Sequence, residues 1–191
     1  MNYRHAYHAG NFADIMKHAL LVILLDALNH KPAPWCYFDT QAGAGIYDLA
    51  SEAATKTGEA AGGIGRLWPL RSSAPAPVAQ LCAIISGIND ENAAACPRFY
   101  PGSPVAAASL ARHQDRLVLA ELHPQEARVL REHFRGDRRV AVHHRDGYEM
   151  LKALAPPAER RGLVLMDPSF EKPDEFVKLL AALKNAHARW S

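Results

Sequence analysis

The sequence predicts an α/β fold: a parallel sheet with helices on both faces. Three observations carry that expectation. Short apolar runs alternate with helix-length segments through the C-terminal part of the chain. Those runs end in, or lead into, acidic residues. A turn of small residues, Asp39-Thr-Gln-Ala-Gly43-Ala-Gly45, follows the first of them. Strands alternating with helices of this length form right-handed βαβ units, and such units build parallel sheets.

Residues 2–10 mix aromatic and basic side chains without a helical or strand period. Asn11 can cap a helix running to Asn29. Its apolar positions Ile15, Leu20, Val22, Ile23, Leu24 and Ala27 cover more than one face, which predicts a largely buried helix. Lys31-Pro-Ala-Pro34 stops it. Trp35–Phe38 is too short for a helix and is flanked by turn residues, so it reads as a buried strand. Between Leu49 and Arg116 the pattern changes. Alanine-rich, weakly periodic segments at Gly58–Leu67 and Val78–Ile88 are separated by stretches such as Ser72-Ser-Ala-Pro-Ala-Pro77, which predicts an inserted helical subdomain. The alternation then resumes, with strands expected at 117–120, 139–142 and 163–166 and helices at 125–134, 148–154 and 174–184. One domain is therefore expected, in three stretches: an arm, helix and glycine loop over 1–48, the helical insertion over 49–116, and the continuing sheet over 117–191.

Composition narrows the classes. Hydrophobic residues make up 49% and charged residues 22%, which is globular and excludes a disordered tail protein. A net charge of +2 leaves nucleic acid open, because binding needs a local basic patch rather than a basic chain. Three irregularly spaced cysteines, Cys36, Cys82 and Cys96, indicate neither a disulfide framework nor a zinc ribbon, and suit reduced thiols in the cytoplasm. The apolar run Ala19–Leu25 is too short to span a membrane, and the first residues are not a secretory signal. A soluble cytoplasmic monomer with no membrane partner is expected.

In open parallel sheets, ligands bind outside the carboxyl ends of the strands. Here those ends carry Asp39, Glu121, Asp146-Gly147 and Asp167-Pro168-Ser169-Phe170. Any one acid can be a helix cap or turn former. Four around one crevice suit a ligand with hydroxyls, an exocyclic amine and a cationic centre. A dinucleotide fingerprint needs a third glycine where the backbone meets the pyrophosphate, and the loop here lacks it. Asp39 would also repel phosphate. S-adenosylmethionine has no phosphate and carries a positive amino group and a sulfonium, so the loop fits it better than NAD. On this reading Glu121 accepts hydrogen bonds from the ribose hydroxyls and Asp146 from the adenine amine. Gly147 leaves room for the ring, and Gly43 and Gly45 let the backbone approach the methionine part.

Asp167-Pro168-Ser169-Phe170 resembles the Asp-Pro-Pro-Tyr/Phe motif of amino-methyltransferases acting on adenine. In that motif the carboxylate and a backbone carbonyl accept hydrogen bonds from the target amine while the aromatic ring stacks on the base. Ser169 departs from it, and an ordinary strand-to-loop turn remains the alternative. Tyr3, Arg4, His5, Tyr7 and His8 combine cations with stacking rings, which suits single-stranded RNA or a flipped base. Arg131, Arg135, Arg138, Arg139 and Arg145 read either as a solvated face or as phosphate contacts. No metal site is expected: His5-x-x-His8 and His143-His144 lack carboxylate or thiolate partners at usable spacing, and adjacent histidines on a strand point to opposite faces.

Across nearly its whole length the chain resembles the bacterial 23S ribosomal RNA adenine-N6 methyltransferases, a family also labelled as involved in use of external DNA. The stretches that carry the resemblance include Tyr3-Arg-His5, His8-Ala-Gly-Asn11, Ala13-Asp14, Lys17-His18, Asp39–Gly45, Ser51-Glu52, Thr57-Gly-Glu59, Tyr100-Pro-Gly-Ser-Pro104, Glu121-Leu-His-Pro124, Asp146-Gly147, Arg160-Arg-Gly162 and Asp167-Pro168. The resemblance implies a Rossmann-like class I methyltransferase fold. It implies cofactor contacts at His18, Gln41, Ser103, Glu121, Asp146, Gly147 and Asp167, a catalytic carboxylate at Asp167, and a meeting of Tyr3 with large-subunit ribosomal RNA. Tyr3, Arg4, His5, Pro168 and Phe170 are then the expected substrate residues. The family usually has histidine where this chain has Gln41, so that contact changes in kind. Members run longer, and three further strands are expected beyond the fourth, which suggests a truncated sheet. The alternative class is a non-catalytic nucleic-acid-binding protein serving use of external DNA.

Overall fold

The structure, a computed structural model, describes residues 4–89 and 96–190. In chain order its elements are a 3-10 turn (His5–Tyr7), α1 (Phe12–Asn29), β1 (Cys36–Asp39), β2 (Ile46–Asp48), α2 (Glu52–Thr57), α3 (Glu59–Gly62), α4 (Ile64–Leu67), a second 3-10 turn (Trp68–Ser73), α5 (Ala76–Gly87), β3 (Phe99–Pro101), α6 (Ser103–Leu110), β4 (Arg116–Glu121), α7 (Pro124–His133), β5 (Val140–His144), α8 (Gly147–Leu154), β6 (Gly162–Leu165) and α9 (Glu175–Arg189). They form two compact units: Met1–Ala27 with Gly45–Leu110, and Leu28–Ala44 with Ala111–Ser191.

The second unit holds a sheet of order β5-β4-β1-β6 in which every pairing is parallel. Numbered among themselves, the strands run third, second, first, fourth, which is half of the doubly wound pattern, with the direction of winding reversing between β1 and β6. β1 lies at that switch and is buried along its whole length, as a central strand covered on both faces must be. Register sets Asp39 beside Leu119 of β4 and Leu165 of β6. Cys36, Phe38, Val118 and Ala120 point to one side, where Met150 and Leu151 of α8, Ala155 just after it, and Ala186 of α9 close a core. Tyr37, Leu117 and Leu119 point to the other and are equally buried. Trp190 meets Phe38 edge-on at 5.8 Å. β5 and β6 are the outer strands, and α9 exposes Phe176, Val177, Leu180 and Leu183.

In the first unit, Val22 of α1 packs with Ile64, Trp68, Leu81, Cys82, Ile85 and Tyr100. The helices expected over 49–116 are present, with two differences. The run expected as a single helix at 58–67 is broken into α3 and α4. Gly58 sits left-handed at φ 66°, and a side chain at Gly63 would lie 2.1 Å from the Gly10 carbonyl. The second difference is an antiparallel ribbon, β2 with β3, that joins Tyr47 to Tyr100. Strands of three residues are too short for an alternation to show. Among the described residues no helix is long and apolar enough to cross a membrane.

Candidate active site

Three of the acids at the strand ends of the second unit, Asp39, Glu121 and Asp146, accept from main-chain amides. Asp39, fully buried, accepts from the Tyr37 hydroxyl at 2.7 Å and from the Gln41 amide at 3.3 Å, which starts the loop turning. Glu121 ends β4 and accepts from the Gly43 amide at 2.7 Å and the His123 amide at 2.7 Å. It therefore holds the glycine loop against the next strand, with Gly43 itself left-handed at φ 65°. A carboxylate has about four lone-pair sites, so two amide bonds leave Glu121 able to accept from a ribose diol as well. Asp146 caps α8, taking the amides of Tyr148 at 2.9 Å and Glu149 at 3.1 Å on one oxygen. The cap reading and the ligand reading thus coexist there, one per carboxylate oxygen.

Gly147 also has a structural reason, beside the room for a ring that was expected. A Cβ at that position would stand 1.9 Å from the Thr40 carbonyl oxygen, so glycine is required for α8 to approach the end of β1, whatever ring lies nearby. Thr40 also donates its amide to the Leu165 carbonyl at 3.1 Å, stitching β1 to β6 at their carboxyl ends. Past β6, Asp167 is exposed, Pro168 is buried, and Phe170 is 55% exposed. Phe170 sits at φ 55°, a left-handed conformation costing a non-glycine residue ~1–2 kcal/mol. Such strain collects at ligand sites, where surrounding structure holds it. The Asp167 amide donates to Gln41 Oε1 at 3.2 Å.

In the first unit, His18 is fully buried on α1. Its Nδ1 lies 2.9 Å from the Tyr100 hydroxyl, its ring stacks on Tyr100, and its Nε2 is buried without a hydrogen-bond partner. Burial pushes its pKa down to about 3, against the opposing charge of Asp14. Ser103 opens α6 and is buried, next to Gly102, whose amide donates to the Gly45 carbonyl at 2.7 Å. Gly45 is left-handed at φ 88°. Arg4 is exposed and extended. His5 is not a free ring: its Nε2 lies 2.9 Å from Asp14, and it packs edge-on against Tyr47. Tyr3 lies outside the described residues.

Asp14 is a residue that the sequence reading placed in no role. It is 2% exposed and gathers the Gly10 amide, His5 and Lys17. Burial alone would raise its pKa, but the hydrogen bond and charge of His5, with His18 and Lys17, hold it far below the usual carboxylate range. Tyr148 and Glu175, joined at 3.2 Å, were missed as well. Only the position of Tyr148 directly after Asp146-Gly147 signals it in the sequence.

Residues 32–191 match the family described as ribosomal RNA large subunit methyltransferase D, RlmJ. The chain belongs to this family. "Ribosomal RNA large subunit methyltransferase J" of Escherichia coli K12 is 41% identical over all 191 residues, and its Haemophilus influenzae counterpart is 40% identical. The chain covers 67% of each. The crystal structure of protein LPL1258 from Legionella pneumophila superposes with a TM-score of 0.87 at 40% identity, covering 96% of this chain and 66% of that one. The chain thus spans about two thirds of the length of its relatives. Methyltransferase families of this fold generally draw the methyl group from S-adenosylmethionine. The second unit carries a group that fits that molecule, a strand-end carboxylate with acceptor sites to spare.

Proposed function

We propose that the chain methylates the exocyclic N6 amine of an adenine in large-subunit (23S) ribosomal RNA, using S-adenosylmethionine. One observation carries the reading. The glycine loop and the Asp167–Phe170 tetrapeptide leave neighbouring strands, β1 and β6, at the switch of a parallel sheet, and they touch through Gln41 and Asp167. That crevice is where open α/β sheets bind their ligands, and the family supplies the chemistry. When bound, S-adenosylmethionine supplies an electrophilic methyl group on a sulfonium.

The chain's own residues then have distinct tasks. Glu121 would accept from the ribose hydroxyls, Asp146 from the cofactor adenine, and Gly43 and Gly45 would let the main chain approach the methionine part. His18 Nε2 and Ser103 are the remaining assigned contacts, while Gln41, which the resemblance put among them, bonds the Asp167 amide. Asp167 and the Pro168 carbonyl would accept the two hydrogens of the target amine, whose lone pair is otherwise delocalised into the ring. Asp167 becomes the stronger acceptor as positive charge grows on that nitrogen, and Phe170 would stack on the base. Tyr3, Arg4 and His5 are assigned to the RNA, with residues 49–116 helping to hold it. The substrate places the activity in the cytoplasm, and the chain is assigned as a monomer.

The test incubates the purified chain with methyl-labelled S-adenosylmethionine and unmodified 23S ribosomal RNA, followed by nucleoside analysis. Label in N6-methyladenosine is the expected result. Label on cytosine or ribose overturns the reading. RNA binding without any transfer favours the non-catalytic alternative.

A further inference from the structure

Gln41, which the resemblance puts at the cofactor, is half-buried and has partners within the protein. Its Oε1 accepts from the Asp167 amide at 3.2 Å and from the Thr40 hydroxyl. Its side chain lies beside the Tyr148 hydroxyl, close enough to bear on the acidity of the phenol. Tyr148 in turn donates to Glu175 Oε1 at 3.2 Å. Burial first, and then the charge of Glu175, raise the Tyr148 phenol to about 12, so it stays a neutral donor at every physiological pH. Gln41 beyond β1 therefore bonds the main chain of Asp167 beyond β6, and Tyr148 on α8, itself bonded to Glu175 on α9, stands beside it.

The Gln41 bond bears on chemistry because of where Asp167 stands. β6 ends at Leu165, so the sheet no longer fixes the main chain two residues on. Ser169 stands where a second proline would stiffen the turn. Asp167 itself is exposed. We infer that Gln41 is a positioning residue: it clamps the Asp167 main chain from the loop across the switch, oriented by Tyr148 and Glu175, and so aims the Asp167 carboxylate. The inference rests on the proposed methyl transfer for its catalytic consequence, while the clamp is a property of the folded chain alone.

The experiment has two readouts on the full chain. Amide hydrogen exchange at Asp167, followed by NMR, reports the clamp without any substrate. Single-turnover methyl transfer and calorimetry with S-adenosylmethionine report its use. Gln41→Ala is expected to speed exchange at Asp167 and to slow single-turnover transfer roughly tenfold to a hundredfold, the scale of a misplaced catalytic group, with cofactor affinity within a few-fold of wild type. Gln41→Glu keeps the oxygen acceptor and is expected to restore slow exchange and most of the rate. Tyr148→Phe removes only the orienting partner and should fall between wild type and Gln41→Ala. Unchanged exchange at Asp167 in Gln41→Ala overturns the clamp. Loss of cofactor affinity by the same factor as the rate would make Gln41 a cofactor contact instead. Should the wild-type chain transfer no methyl group, the proposed function fails, and the exchange readout still decides the clamp.

Discussion

Glu121 has a role in folding that is shown and a role in binding that is proposed. It holds the Gly43 and His123 amides and is 6% exposed, so its replacement is felt twice. Glu121→Ala is expected to weaken S-adenosylmethionine by about 1.5–3 kcal/mol, the range for a hydrogen bond to a charged group. It should also lower the melting temperature, because two amides lose a buried acceptor. Calorimetry and thermal melts separate the two effects, and unchanged cofactor affinity would remove Glu121 from the site. Asp167→Asn is expected to behave in the opposite way: methyl transfer falls while cofactor affinity stays within a few-fold, since on the proposed reading the carboxylate serves the target amine. Wild-type transfer rates in that variant would disprove the role. Phe170, in the same tetrapeptide, is left-handed, and on the same proposed reading its truncation to alanine should cost use of the base ~1–3 kcal/mol, the worth of one stacked base.

At the scale of elements, two helices carry predictions. α8 approaches the end of β1 so closely that a methyl group at Gly147 would meet main chain, which cannot swing aside. Gly147→Ala should therefore destabilise the fold by at least about 1–3 kcal/mol, the usual range for overpacking; an unaltered urea midpoint would contradict the close approach. α1 makes stability depend on pH. His18 has its pKa lowered from 6.5 to about 3 in the folded chain, so between those values the unfolded chain binds the extra proton. Stability from this residue is complete above pH 6.5 and is lost as pH falls, at about 1.4 kcal/mol per pH unit while it dominates. Asp14 adds a second loss in the same direction. Its folded pKa is depressed, so its contribution is present above its ordinary value near 3.8 and disappears below it. Melting temperature should thus fall from pH 7 to pH 4, and His18→Gln should flatten that slope. A slope unchanged by the substitution would place the proton elsewhere.

For the molecule as a whole, RNA affinity should depend on salt through the arginines the sequence groups together. Their surroundings divide them. Arg139 is tied to Asp137 at 2.7 Å and Arg135 lies 3.5 Å from Glu132, whereas Arg131 and Arg138 are exposed and in no ion pair among the described residues. After burial and Arg145, the charge of Arg131 contributes to the lowered pKa of His143, which marks a locally positive face. Replacing Arg131 and Arg138 by glutamine is expected to lower RNA affinity and reduce the salt slope by about one per lost phosphate contact, leaving S-adenosylmethionine untouched. An unchanged slope would return these arginines to a solvated surface. The sheet strands were legible in the sequence to within a residue or two, because a buried strand between turn residues leaves a local trace, and so does an acid at its end. The ribbon of β2 and β3 left none: its three-residue strands are paired by residues far apart in the chain. Nor could the sequence divide the tasks of the site. By itself it determined the parallel α/β class, the loop at the first strand end, the family, and which side chains are chemically able to bind or react. Only the tertiary structure decided that Gly147 makes room for Thr40, that His5 belongs to Asp14, and that Gln41 reaches Asp167. The physical reason is the same for all three. A residue's type limits what it can bond, but burial and distance select its partner, and those partners come from strand ends and loops that meet only when the chain is folded.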